Sequence, residues 1–499
     1  MADGFLILCT IAITILTLYY YYTSTYDFWK KRGIPGPQPL IIFGNFGSLI
    51  SKRISFSSYI KTIYEKYKHE PVCGIFQGST PILIVNDLNL SKDVLIRDFS
   101  LFAHRGIPTF PKIDPLTEHL FALEPERWRP LRAKLSPVFT TGKLKEMFPL
   151  IIECAKHLEE YLDKMIKNGE LVECREMAAK YTTDVIGSCA FGIEMNAFKD
   201  KNSEFRRIGK QVFTPSLQQV SQELCRQFLP RLYNIIGHLL QPKEVAKFFT
   251  NAIVGTMKYR KENNIVRPDF VNVLMELKEN PEKLENLEFT DQLLTSQAFI
   301  FFLAGFETSS STMSFVLYEL AQNQHIQDKL RAEIREKSTQ NGELTYNQVK
   351  EMKYLDAVFR ETLRKYSILP ILMRQVSEDY TFRETKITIP KDTLIWIPIY
   401  AIQNDPDIYP DPVTFNPERF TDEAIEKRHP MSFLSFGDGP RNCIGARFAH
   451  YQSKIGLISI LRNHKVDVCE KTTIPFDSDP RNFLLTLKDG VTLKVTEVQ

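Results

Sequence analysis

The stretch Phe436-Gly437-Asp438-Gly439-Pro440-Arg441-Asn442-Cys443-Ile444-Gly445 decides how this chain is read. It fills Phe-x-x-Gly-x-Arg-x-Cys-x-Gly, five fixed positions that should coincide by chance in roughly one chain of this length in several thousand. The pattern presents a cysteine on a glycine-rich loop. A thiol must lose its proton to ligate a metal, and apolar burial alone opposes that. The residues after Cys443 read as a helix, so the sulfur is expected at a helix N-terminus, where free amides and the macrodipole favour negative charge. Gly439 and Gly445 are expected to let the backbone approach a flat group and to take angles that other residues avoid. The bland alternative is a buried structural cysteine in a turn; the four other filled positions weigh against it.

Upstream, Thr290 is a good N-cap for a helix running from about Asp291 toward Gln322. Its nearly all-apolar centre, residues 298–306, is too short to span a bilayer and predicts a helix buried in a domain core. Ala304, Gly305, Phe306, Glu307 and Thr308 sit mid-way along it. Ala304 and Thr308 are four apart and share one face. Gly305 weakens the turn by about 1 kcal/mol and gives a hydroxyl room to enter it. Thr308 then serves as a proton relay, with Glu307 as the proton source behind it. The bland alternative is a small-residue packing site between helices.

Glu361 and Arg364 are three apart on a predicted helix over 347–367, a spacing that alone means little. Trp128 and Arg132 are four apart and share a face. Phe415 to Phe420, with Arg419, follows later. A buried strand is expected at 81–85, and strand-like alternation returns over 369–409. The runs 483–487 and 491–495, joined through Asp489-Gly490, predict a terminal hairpin.

The chain has 499 residues, with 63 basic and 60 acidic side chains. That balance implies no bulk attraction to nucleic acid. The eight cysteines show no paired short spacing, which excludes a zinc cluster and a disulfide scaffold and suits a reducing compartment. From Phe5 to Tyr22 the chain is apolar or aromatic apart from small Thr and Cys. Eighteen helical residues reach about 27 Å, close to the hydrocarbon thickness of a bilayer. Tyr19 to Tyr22 form an aromatic belt, and Lys30, Lys31 and Arg32 follow, which places the rest of the chain on the cytosolic side. No basic n-region or cleavage site supports a signal peptide instead. The expected organisation is an anchor over 1–26, a basic, Pro-rich hinge over 27–40 and one large domain over 41–499.

These motifs occur in one order across essentially the whole chain, and together they resemble the cytochrome P450 family, microsomal animal type. Residues 301–308 and 436–449 are most similar to insect xenobiotic-metabolising members. The resemblance implies a mainly α fold with a small β region behind an N-terminal transmembrane helix. It implies heme b (iron protoporphyrin IX) ligated by Cys443, with Phe436 on the proximal side. Arg441, Trp128, Arg132, Arg374 and Arg105 are implied as propionate contacts. Glu361, Arg364 and Arg419 become a buried triad locking the Cys443 loop. Phe110, Leu120, Phe121, Phe301, Ala304, Thr308, Ile368, Leu372 and Leu485 become the distal pocket. Gln403 stands where relatives often carry His.

The implied reaction places one oxygen atom from O2 into a lipophilic small molecule. Electrons come from NADPH through a membrane-bound reductase, with cytochrome b5 as a further donor. The absence of a Gly-x-Gly-x-x-Gly site after a strand agrees with external electrons. Lys134, Lys143, Lys427 and Arg428 are the candidate docking cations. The implied location is the endoplasmic reticulum membrane, single-pass. Two alternatives are a haem-thiolate isomerase or dehydratase without a redox partner and a non-catalytic haem carrier. Neither needs the Glu307–Thr308 relay.

Overall fold

The computed structural model describes residues 2–200, 203–213, 216–267, 269–279, 288–338, 344–383 and 385–498. Fifteen elements carry the account. They are α1 (Ala2–Thr23), α2 (Phe56–Tyr67), β1 (Val72–Gln77), β2 (Thr80–Val85), α3 (Pro125–Leu135), α4 (Thr141–Lys167), β3 (Val172–Glu173), α5 (Cys174–Ile186), α6 (Asp291–Gln322), α7 (Lys353–Lys365), β4 (Leu372–Gln375), β5 (Leu394–Ile397), α8 (Ala446–Asn463), β6 (His464–Asp467) and β7 (Thr492–Glu497). The chain is mainly helical with small sheets, as expected.

Helix α1 is long and apolar enough to cross a membrane, and none of its most apolar window is buried. Thr10, Thr14 and Thr17 each donate their hydroxyl to the carbonyl four residues back at 2.8 Å, which hides those polar groups within the helix. The following segment is held against the domain. Trp29 is 3% exposed and donates its indole N–H to Ile75 O at 3.0 Å, and Gly74 N donates to Pro35 O. A Cβ on Gly74 would overlap the Trp29 ring, so glycine there admits the indole. The linker is thereby fastened to β1.

Strand order in the larger sheet is β1-β2-β5-β4. The β2–β5 pair is parallel, with Ile84 opposite Trp396; β4 then runs antiparallel to β5, with Met373 opposite Trp396. Val72, Leu83, Val85, Ile395 and Ile397 feed one apolar cluster while Ile75, Ile82, Ile84 and Trp396 feed another, as alternating side chains on a sheet covered on both faces must.

Helix α6 is the centre of the largest core. Thr290 accepts from Leu293 N and starts the helix. Residues 309–321 are buried without a break because other elements surround this end. A Cβ on Gly305 would lie 2.4 Å from Ile186 Cδ1, so glycine here allows the close approach of α5 and α6. Gly305 thus serves helix packing, and α6 runs through it without a break.

Two sequence expectations need correction. The predicted helix over 347–367 is two helices, Tyr346–Glu351 and α7, separated at Met352. The terminal hairpin does not form. Strand β7 pairs with β3 and β6 instead, and the 483–487 run makes one isolated bridge, Leu487 to Ser478. The Asp489-Gly490 turn is real: Gly490 has φ 72°, and Glu173 accepts from Val491 N at 2.8 Å, pulling the strand toward β3.

Candidate thiolate and guanidinium site

The loop before α8 folds back on itself. Cys443 N donates to Phe436 O at 2.8 Å and Asn442 N donates to Gly439 O at 3.1 Å. Gly437 and Gly439 have φ 69° and 71°, left-handed angles that glycine takes without strain. A Cβ on Gly439 would lie 1.9 Å from Leu95 O, so this position has no room for a side chain. Gly445 corrects the expectation: its φ is −92° and a Cβ would make an ordinary 3.6 Å contact with Phe139. Its contribution is its amide. Burial pushes the Cys443 thiol up, while the Gly445 N–H and the Arg132 and Arg105 charges pull it back toward the thiolate.

Cys443 retains exposed surface despite lying at this depth, and so does Ala304 in the middle of a core helix. Residues exposed in a protein interior face internal space. Thr308 is on the same side as Ala304 and donates to Ala304 O at 2.6 Å, the local bond expected four residues apart.

Four arginines gather beside Cys443. Arg105 donates to Phe121 O at 2.8 Å and Arg441 O at 3.0 Å, and its guanidinium lies 4.0 Å from the Phe121 ring centroid. Arg441 is 2% exposed, donates one nitrogen to Leu123 O and lies over Trp128. Its Nε and Nη1 are buried without partners, as is Nε of Arg374 on β4. Burial and neighbouring Arg374 push Arg441 down to about 9; burial pushes Arg374 down to about 10. Burial and the other three cations also lower Arg105. Glu124, the carboxylate acting on Arg441, is itself held by Arg127. Buried unpartnered guanidinium nitrogens call for an anion. A ring carrying two carboxylates, with its metal at Cys443, fits this donor set. Among the described residues no His, Cys, Asp and Glu group could hold a bare metal ion.

Arg132 faces the Cys443 loop. Its two terminal nitrogens each donate at 3.0 Å to Asn442, one to the carbonyl and one to Oδ1, so it braces the Cys443 loop. Glu361, Arg364 and Arg419 come together. Arg364 binds Glu361 through two bonds of 2.7 and 2.8 Å, both side chains fully buried, and Arg419 Nε lies 3.5 Å from Glu361. Gln403 adds to this network. It is fully buried, accepts from Leu434 N at 2.8 Å, donates to Leu363 O, and its own carbonyl accepts from Arg364. It joins the triad to the strand of chain leading into the cysteine loop.

Glu307 is not beside the Thr308 hydroxyl. It is buried and paired with Arg175 of α5, with Ser311 Oγ at 3.5 Å. Phe301 stacks on Phe270 at 4.6 Å and meets Phe139 and Phe448. Of the other pocket candidates, Leu120 N donates to Gln297 Oε1, which pins its loop to α6. Leu485 N donates to Ile368 O, bringing those two together, and Leu372 Cδ2 lies 3.7 Å from where a Gly437 Cβ would stand. Phe110 packs edge-on against Tyr233. Gln297 and Gln452, the latter donating to Gly305 O at 3.0 Å, were missed, although an amide inside an apolar helix is a readable signal.

A family model described as cytochrome P450 matches residues 34–495. Three similar relatives are a probable cytochrome P450 6a14 of Drosophila melanogaster, 41% identical over 98% of this chain and 100% of the relative; cytochrome P450 6A1 of Musca domestica, 41% over 100% and 99%; and cytochrome P450 6a2 of Drosophila melanogaster, 39% over 99% of both.

Proposed function

Because the chain belongs to the cytochrome P450 family, we propose that it is a haem-thiolate monooxygenase of lipophilic small molecules in xenobiotic or endogenous lipid and hormone metabolism. NADPH supplies two electrons through a membrane-bound reductase, with cytochrome b5 as a further donor. One atom of O2 enters the substrate and the other leaves as water. The observation that carries this reading is the buried, unpartnered face of Arg441 and Arg374 beside Cys443.

Cys443 would hold the haem iron, and Arg441, Arg374 and Arg105 its carboxylates. A bound haem supplies oxygen activation, and a thiolate ligand pushes electron density toward O–O cleavage. The chain's own groups do the rest. The Gly445 amide, with Arg132 and Arg105, favours sulfur as thiolate. Ala304, small and with exposed surface, leaves space beside Thr308. The Thr308 hydroxyl, now turned to Ala304 O, can rotate to donate into that space. Glu307 supplies protons to it only after leaving Arg175, so the pair sets when the relay opens.

Helix α1 would anchor the enzyme in the endoplasmic reticulum membrane with the domain facing the cytosol. Lys134 and Lys427 stay candidates for reductase docking. Lys143 is engaged by Glu146, and Arg428 lies over Tyr409 and Phe420 and donates to Arg419 O, so neither is a free contact. Arg447, exposed in the first turn of α8, takes their place.

The test is turnover of a panel of lipophilic compounds by purified, haem-loaded protein with reductase. Product that forms only with NADPH and reductase is expected. Rearrangement of hydroperoxides without either would support the isomerase alternative and overturn this reading.

A further inference from the structure

His450 lies on α8, behind the cysteine loop. Its ring centroid is 5.1 Å from that of Phe436, with an interplanar angle of 33°, and 4.9 Å from that of Phe359 on α7. The imidazole therefore fills the space between a core helix and the residue paired across the loop from Cys443. The pairing is direct, since Phe436 O accepts the Cys443 amide at 2.8 Å. Movement of Phe436 moves the hydrogen bond that sets the Cys443 backbone.

The edge of His450 faces a carboxylate. Nδ1 lies 3.7 Å from Asp356 Oδ1. The same carboxylate binds Lys454 Nζ at 2.5 Å and, through Oδ2, Arg360 Nε at 2.6 Å. Lys454 is only 7% exposed, so this is a built arrangement and not a chance surface pair. Burial, then the Lys454 charge, push the imidazole down to about 4, which leaves it a neutral ring able to pack between two phenyl groups.

We propose that His450 is a positioning residue: it clamps Phe436 against α7 and through it fixes the backbone and surroundings of the Cys443 sulfur. This inference rests on the haem-thiolate reading above. It names a residue seven positions past the cysteine, outside the motif, as a determinant of how firmly the thiolate is held. A thiolate whose amide and aromatic cover shift gains water and hydrogen bonds, donates less charge and is more easily protonated.

The experiment compares native protein with H450A, H450L and H450F, all haem-loaded. It reads the midpoint potential of the ferric/ferrous couple and the rate at which the reduced CO complex loses its thiolate-type absorption band. H450F keeps an aromatic ring and is expected to match native protein in both. H450L fills volume without a ring and is expected to shift the potential and lose the band several-fold faster, and H450A more so. Native potential and band lifetime in H450L and H450A would overturn the clamp. H450L alone decides the matter if H450A does not load haem. Failure of native protein to give the thiolate-type band would instead sink the haem-thiolate reading.

Discussion

The guanidinium carbon of Arg441 lies 4.3 Å from the centroid of the Trp128 ring. A cation held over an indole face is attracted to it and loses freedom to turn elsewhere. The contact restrains Arg441, two of whose nitrogens are buried without partners, and gives Trp128 a role beside the propionate contact that the resemblance implies.

Arg441→Ala removes a charged donor to the cofactor carboxylates. A charge-assisted hydrogen bond contributes about 1.5–3 kcal/mol, so haem should transfer to an acceptor apoprotein roughly ten- to a hundredfold faster than from native protein. Trp128→Phe should retain most of the native rate. An unchanged rate in Arg441→Ala contradicts the assignment.

Arg364→Ala removes the two-pronged partner of the Glu361 carboxylate, which has no exposure at all. Removing one partner of a buried pair costs about 3–5 kcal/mol. Thermal unfolding should fall sharply and haem incorporation with it. Arg364→Lys should rescue little, because one ammonium cannot replace the two-pronged contact. Full haem incorporation in Arg364→Ala would show that the triad does not lock the loop.

Thr308→Ala removes the hydroxyl now resting on Ala304 O. Haem content should stay native while peroxide released per NADPH consumed rises and product falls. Thr308→Ser should restore coupling. Unchanged coupling in Thr308→Ala counts against the relay.

Asp184 on α5 is 5% exposed, and burial raises its carboxyl to about 6. The folded state therefore holds a proton that the unfolded chain has released between about pH 4 and 6. The stability this proton confers is lost as pH rises through that window. Asp184→Asn keeps the acceptor for Ala197 N–H and removes the titration. The difference in unfolding free energy between variant and native protein should grow in the variant's favour from pH 4 to 6 and then level. A flat difference contradicts the assignment.

What the sequence made legible is what it encodes locally. The cysteine loop, the Thr290 cap and the Glu361–Arg364 pair depend on residues a few positions apart, so their spacing carries the geometry. The role of Gln403 is not legible locally, because its partners, Leu363, Arg364 and Leu434, come from distant segments. The Arg175–Glu307 pair was invisible for the same reason. The ring contacts of Phe301 with Phe139, Phe270 and Phe448 are not legible in sequence, because those three residues come from distant segments. The last strand had the right alternation, but alternation does not name a partner, and β3 and β6 took the place of the expected hairpin.

The central claim is that the sulfur of Cys443 ligates haem iron as a thiolate, and the absorption spectrum of the reduced CO complex tests it most directly. Native protein should give the red-shifted thiolate-type band, and Cys443→Ala should lose it. A native spectrum of the kind produced by a nitrogen ligand, or a thiolate-type band that survives in Cys443→Ala, would contradict the account.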